Sequence, residues 1–246
     1  MRNYMKVLLI GLLLALFGKA EGNAQTTVSI NPTNDGRVYI STVPGTYASK
    51  RDSTSARSSV TDVIQAGQDS TAVYAVYRGF MTFAIPALTT ADACTLYIDG
   101  DFNGSTTDFE IYLHTASNYG TLDVLDYIKF DGRTVGSAHT GSILNNTWNS
   151  SSYSADWNKI IFNAAGLDSL EAHSNGAFYL AMISKEDYIN SAPANSEVVA
   201  FTAVAGTPDP YLSLTYTLTG WSGTIGNLTN PAALGAYSKT EIKEIR

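Results

Sequence analysis

Tyr211-Leu212-Ser213-Leu214-Thr215-Tyr216-Thr217-Leu218 is the stretch that decides the fold class. Successive side chains of a strand point to opposite sides, so Leu212, Leu214, Tyr216 and Leu218 share one face. This is a half-buried strand, apolar toward a core and polar toward water. Working outward, short β-rich runs recur at residues 27–30, 37–42, 73–83, 94–99, 109–114, 159–162, 177–183 and 198–203, divided by clusters of Gly, Asn, Asp, Ser and Pro. In Phe80-Met81-Thr82-Phe83-Ala84-Ile85 polar and apolar residues alternate less cleanly, as expected where both faces are covered. Residues 163–173, with Ala164, Leu167, Leu170 and Glu171 ahead of Asn175-Gly176, read as a short crossover helix. The pattern predicts an all-β fold: a two-sheet antiparallel β-sandwich of the jelly-roll kind with one short crossover helix. Residues 43–72, rich in Ser, Thr, Ala, Asp and Gly, read as a long insertion of low apolar content.

The ends of the chain read differently. Arg2 and Lys6, an apolar run over residues 7–17 and the small residues Gly22-Asn23-Ala24 have the layout of a signal peptide cleaved after Ala24. Eleven residues rise only about 16 Å as a helix, short of a ~30 Å hydrocarbon core. The expected organisation is therefore a signal peptide over residues 1–24, a β-sandwich over 25–218, and a C-terminal tail or docking segment over 219–246 holding Trp221. The expected location is secreted, extracellular or periplasmic, with no membrane insertion after the signal is removed. The whole chain carries 15 basic and 22 acidic residues, and removal of the leader leaves 12 against 21, a formal charge of −9. So acidic a chain, without clustered Lys and Arg, repels a phosphate backbone, and nucleic acid is not an expected partner. The single Cys94 makes no internal disulfide, so stability is expected to come from the core.

Three segments carry a family resemblance. Arg78-Gly79-Phe80-Met81-Thr82-Phe83-Ala84-Ile85-Pro86 precedes Cys94-Thr95-Leu96-Tyr97-Ile98; Ala165-Gly166-Leu167 leads to Phe178-Tyr179-Leu180-Ala181-Met182; and Phe201-Thr202 runs on to Asp209-Pro210-Tyr211-Leu212-Ser213-Leu214-Thr215-Tyr216. In order and spacing they resemble the DNRLRE-type, carbohydrate-binding-module-like jelly-roll family over residues 28–218. The resemblance implies a secreted or phage-structural module that binds polysaccharide without cutting it. Here the domain fills nearly the whole chain, with no catalytic partner domain evident beside it.

Two local constellations suggest binding. In Asp99-Gly100-Asp101-Phe102-Asn103-Gly104-Ser105-Thr106-Thr107-Asp108-Phe109-Glu110 the residues Asp99, Asp101, Asn103, Ser105 and Glu110 fall at the ligand positions of a calcium loop, with Gly104 at its turn. The same residues also suit a hairpin loop between two strands, with Glu110 pointing away. Trp148, Tyr153 and Trp157 lie close together in a polar segment and form a candidate glycan platform, or else plug the end of the sandwich. Arg78 reads as a structural residue paired with a carboxylate or loop carbonyls. His114, His139 and His173 sit in no zinc or nucleophile-elbow motif, and no Gly-rich phosphate loop with Lys is present, so the chain is not expected to be an enzyme. Two functions follow as expectations: a non-catalytic module binding polysaccharide or a cell-surface glycan, or a structural subunit that docks a protein partner through its C-terminal tail.

Overall fold

Strands that alternate apolar and polar residues must cover their apolar faces with one another, and this chain does so around one curled sheet. A computed structural model describes residues 25–41, 45–70, 73–204 and 208–218, together with the pairs 224–225 and 228–229. The expected signal peptide and most of the expected tail, Trp221 included, lie outside the described residues. The elements begin with β1 (Gln25–Ile30), β2 (Pro32–Ile40), α1 (Tyr47–Arg51), β3 (Ser58–Val60), β4 (Val63–Asp69), β5 (Ala75–Ala84) and β6 (Thr90–Asn103). There follow β7 (Glu110–Thr115), β8 (Trp148–Asn149), β9 (Trp157–Ile161), α2 (Ala164–Ala172), β10 (Ala177–Ser184), α3 (Lys185–Ile189), β11 (Glu197–Thr202) and β12 (Tyr211–Thr217). Thr26–Tyr216 make one compact unit. Beyond it, β13 (Thr224–Ile225) and β14 (Leu228–Thr229) pair only with each other.

The strands run in the order β1-β12-β6-β11-β4-β5-β10-β7-β8, with β9 on β6, β2 on β5 and β3 on β2. The all-β antiparallel class is as expected. The hydrogen-bonded path is continuous, so the two expected layers are parts of one sheet that curls onto itself. Strand β6 makes this possible: Thr95–Asp99 pair with β9, and from Gly100 onward the strand pairs with β11 across a bulge at Ala200/Phe201. The apolar faces close on a core that includes Phe83, Leu96, Phe109, Phe178, Phe201 and Leu214, with buried Cys94 among them. Helix α2 is the expected crossover, started by the Asn163 side chain accepting from Gly166 N.

Residues 43–72 do more than the insertion read from their composition. Within them α1, β3 and β4 are built into the fold, and β4 pairs with β11 on one side and β5 on the other. Ile64 and Ala66 of β4 are fully buried. At Gly67 the backbone takes φ +131°, and a Cβ there would lie 1.9 Å from the Glu197 carbonyl oxygen, so only glycine fits.

On the opposite side of β2, β5 and β10 a second core gathers Val38, Val76, Phe80, Tyr127, Phe130 and Ile183. Charges are buried within this layer. Arg78 donates from Nε to Asp187 Oδ2 at 2.7 Å and from Nη2 to Asp187 Oδ1 at 2.9 Å, a bidentate pair with neither side chain exposed beyond 1 %. Its other bonds reach the carbonyls of Tyr127 and Arg51, and its guanidinium lies 4.0 Å from the Tyr127 ring centroid. Arg51 joins from α1, donating to the Asp187 and Ser137 carbonyls, and His139 Nε2 lies 3.3 Å from Asp187 Oδ1. Burial alone would raise the Asp187 carboxyl, but Arg78 and His139 overcome it and hold the group below the ordinary carboxylate range. Arg78 is thus the structural residue the sequence suggested.

Removing one member of this pair leaves a buried charge without its partner. Asp187→Ala is expected to cost about 3–5 kcal/mol by urea unfolding, while Arg78→Met with Asp187→Leu costs less than the sum of the single changes. Nearby His114 is fully buried, stacked on Tyr188, and burial followed by the charge of His139 lowers it to about 4. A histidine lowered in the folded state supports folding above its unfolded value of about 6.5 and loses that support as the pH falls toward 4. His114→Phe is expected to remove on the order of 3 kcal/mol of the loss between pH 7 and 4. Asp35, raised to about 6 by burial, acts in the opposite sense over pH 4–6 and is common to both proteins, so the comparison isolates His114.

Candidate functional site

The alternation that builds the core also decides what faces outward. On β6, Leu96 and Ile98 point in, leaving Thr95, Tyr97 and Asp99 on the other side; on β12, Leu212 and Leu214 point in and leave Tyr211, Ser213 and Thr215. On β9, Asn158 and Ile160 are buried while Trp157, Lys159 and Ile161 are exposed. The ladder sets Tyr97 opposite Lys159 and Asp99 opposite Trp157.

Three aromatic rings therefore meet on the outer face. Tyr97 and Tyr211 stack at 4.8 Å with planes 3° apart, and Trp157 stands edge-on to both, at 6.5 Å and 5.3 Å. Lys159 Nζ lies 5.4 Å from the Tyr97 ring centroid. Asp99 Oδ2 accepts from Thr202 Oγ1 at 3.5 Å, and Thr27 and Thr215 bond through their hydroxyls at 2.9 Å. The face thus combines an aromatic cluster with hydroxyls, one cation and one carboxylate. Trp157, 37 % exposed, is among its most open members.

Trp157 is held in place from behind. Buried Asn158 accepts from Ser154 N at 2.8 Å and donates to the carbonyls of Ser154, Asp156 and Ile98, which folds residues 154–157 into a fixed turn. Gly100 N donates to the Asp156 carbonyl, and a Cβ at Gly100 would come within 2.0 Å of the Ser154 carbonyl oxygen. The turn can seat on β6 only because residue 100 has no side chain.

Of the three rings read as a platform or as a plug of the sandwich, two pack inward. Trp148 is buried in β8 and meets Phe201 edge-on at 6.0 Å; Tyr153 leans on the same ring at 5.9 Å and donates to the Ala200 carbonyl. Burial, then the charges of Asp101 and Asp99, raise the Tyr153 hydroxyl to about 12. These two rings plug the core, because β8 and the following turn bring them over Phe201. Tyr97 and Tyr211 take their places beside Trp157. Each was visible as the outward aromatic of an alternating strand, but nothing along the chain indicated that β6, β9 and β12 bring them together.

The five expected calcium ligands are spread apart. Asp99, Asp101 and Asn103 lie along β6, with Asp101 passed over where the ladder to β11 steps from Gly100 to Phe102. Asn103 Oδ1 accepts from Ser105 N, and Glu110 opens β7, with Oε1 accepting from Lys185 Nζ at 2.7 Å and Oε2 from Tyr112 Oη at 3.2 Å. Glu110 points away from the loop, as in the hairpin reading. Among the described residues no three His, Cys, Asp or Glu side chains gather as a metal-binding group. No helix among them is long and apolar enough to cross a membrane.

No protein-family model matches this sequence, and no curated protein is similar to it. The reading of the outer face therefore rests on its own geometry.

Replacing Gly100 with alanine is expected to dislodge the turn and raise amide hydrogen exchange across residues 154–157 by at least tenfold, while β10 exchanges as before. Asn158→Ala, which leaves buried carbonyls and an amide without partners, is expected to cost about 1–3 kcal/mol by urea unfolding.

Proposed function

We propose that the protein is an exported, non-catalytic β-domain that binds a glycan or a glycan-bearing cell-envelope surface through the outer face of β6, β9 and β12. The observation that carries this reading is the cluster of Tyr97, Trp157 and Tyr211 on a face otherwise lined with hydroxyls. A sugar ring presents an apolar C–H face and a rim of hydroxyls, so it is matched by aromatic surface beside a few polar groups. Asp99 and Thr202 supply acceptors, Lys159 a donor, and Ser213 and Thr215 act as either. Export rests on the leader-like layout of residues 1–24. The resemblance to carbohydrate-binding modules points the same way and adds no residue of its own to the site.

A binding role is favoured over a catalytic one by where the perturbed ionisable groups lie. Asp187, His114 and His139, the shifted acid and base candidates of the second core, are each buried and committed to packing or to one another.

Glycan arrays and pulldown on insoluble polysaccharides test the proposal. Wild-type protein is expected to bind, Trp157→Ala to weaken binding at least tenfold with little change in thermal midpoint, and Tyr97→Ala to do the same. Trp148→Ala is expected instead to cost about 3–5 kcal/mol of stability, since it empties a core position. Blank arrays and pulldowns for the wild type, or binding indifferent to Trp157, would sink the proposal.

A further inference from the structure

The end of the curled sheet where α3 packs on β4, the ladder partner of β11, holds oxygen atoms that lack partners. Glu186 Oε2, Glu197 Oε2 and Gln68 Oε1 are all buried and none accepts a hydrogen bond. Gln68 is fully buried and Glu197 is only 6 % exposed. Buried acceptors are rarely left unsatisfied, because each has given up its hydration without replacement. Three such atoms in one corner call for a shared partner.

The backbone brings the three side chains together. Gln68 and Glu197 are direct partners in the β4–β11 ladder, so their side chains project to the same side, with Cβ atoms roughly 5 Å apart. The Gln68 amide nitrogen donates to Ser184 Oγ at 3.1 Å and to Tyr47 Oη at 2.8 Å, and Tyr47 Oη donates to the Glu186 carbonyl at 3.2 Å. These bonds tie Gln68 to the turn that carries Glu186. With its nitrogen held by Ser184 and Tyr47, the amide oxygen of Gln68 is buried without a donor. The adjacent cation does not serve them: Lys185 is paired with Glu110 at 2.7 Å. Among the described residues neither Glu186 nor Glu197 has an ion-pair partner.

We propose that Glu186, Glu197 and the amide oxygen of Gln68 form a binding site for a hard divalent cation of the calcium class. The donor set is all oxygen, with two carboxylates and one neutral carbonyl, which suits calcium and offers nothing to a soft metal. The site is separate from the calcium loop read at residues 99–110, whose Glu110 is already neutralised by Lys185.

The test uses the full chain at pH 8, with thermal unfolding in calcium chloride or chelator and titration calorimetry with calcium alone. At a calcium concentration about 100 times Kd the thermal midpoint is expected to rise by roughly 5–10 °C. Glu186→Gln and Glu197→Gln, which keep the shape, are expected to lose both the rise and the heat of binding, whereas Asp101→Asn keeps them. No rise and no heat at pH 8 would overturn the proposal. So would calcium binding that survives both glutamine variants, or binding lost only in Asp101→Asn.

Discussion

The bidentate contact between Arg78 and Asp187 is the constraint on which the rest of the molecule depends. Neither charge can stand alone in an apolar layer, so every other donor and acceptor on the two groups must also find a partner. That requirement recruits the carbonyls of Tyr127 and Arg51, the Arg51 guanidinium and the His139 ring. These residues come from α1, from the long connection between β7 and β8, and from α3. One ion pair on β5 therefore ties together segments that are distant in sequence. Around it Phe80, Tyr127 and Phe130 supply the packing that keeps water out.

With this second core closing one side of the sheet, the side beyond β6, β9 and β12 remains open to solvent and is where contact with a ligand becomes feasible. The link between core and surface is short. Leu96 and Ile98 belong to the main core, and Tyr97 between them belongs to the aromatic cluster, so the packing that orders β6 also orders the platform. Asn158 does the same on β9, being buried itself while it aims Trp157 outward. The proposed site, built on strands in this way, is preorganised, so little ordering cost would remain for binding.

Some of this was legible along the chain and some was not. The alternation in 211–218 and the turn-rich gaps gave the all-β class, and the short helix after Asn163 was visible from its cap and its leucines. Strand β4 escaped notice because Val63-Ile64-Gln65-Ala66-Gly67-Gln68-Asp69 has weak strand character; its partners β5 and β11, distant in sequence, supply the ladder that makes it one. Trp148, Tyr153 and Trp157 looked equivalent in a polar segment, yet the first two face Phe201 and the third faces water. Proximity in sequence said nothing about that division, because a turn of a few residues reverses the side on which a ring emerges.

What the sequence determined by itself was the set of local preferences: which residues extend, which turn, and that Arg78 at its strand needs an acidic or carbonyl partner. Those follow from backbone sterics and side-chain chemistry acting over a few residues. Tertiary structure alone decided that Asp187 answers Arg78, that Tyr97 and Tyr211 join Trp157, and that Gln68, Glu186 and Glu197 share a corner. Each of these pairings spans tens of residues or more and depends on strand register, which is set by the joint packing of all the faces and not by any one segment.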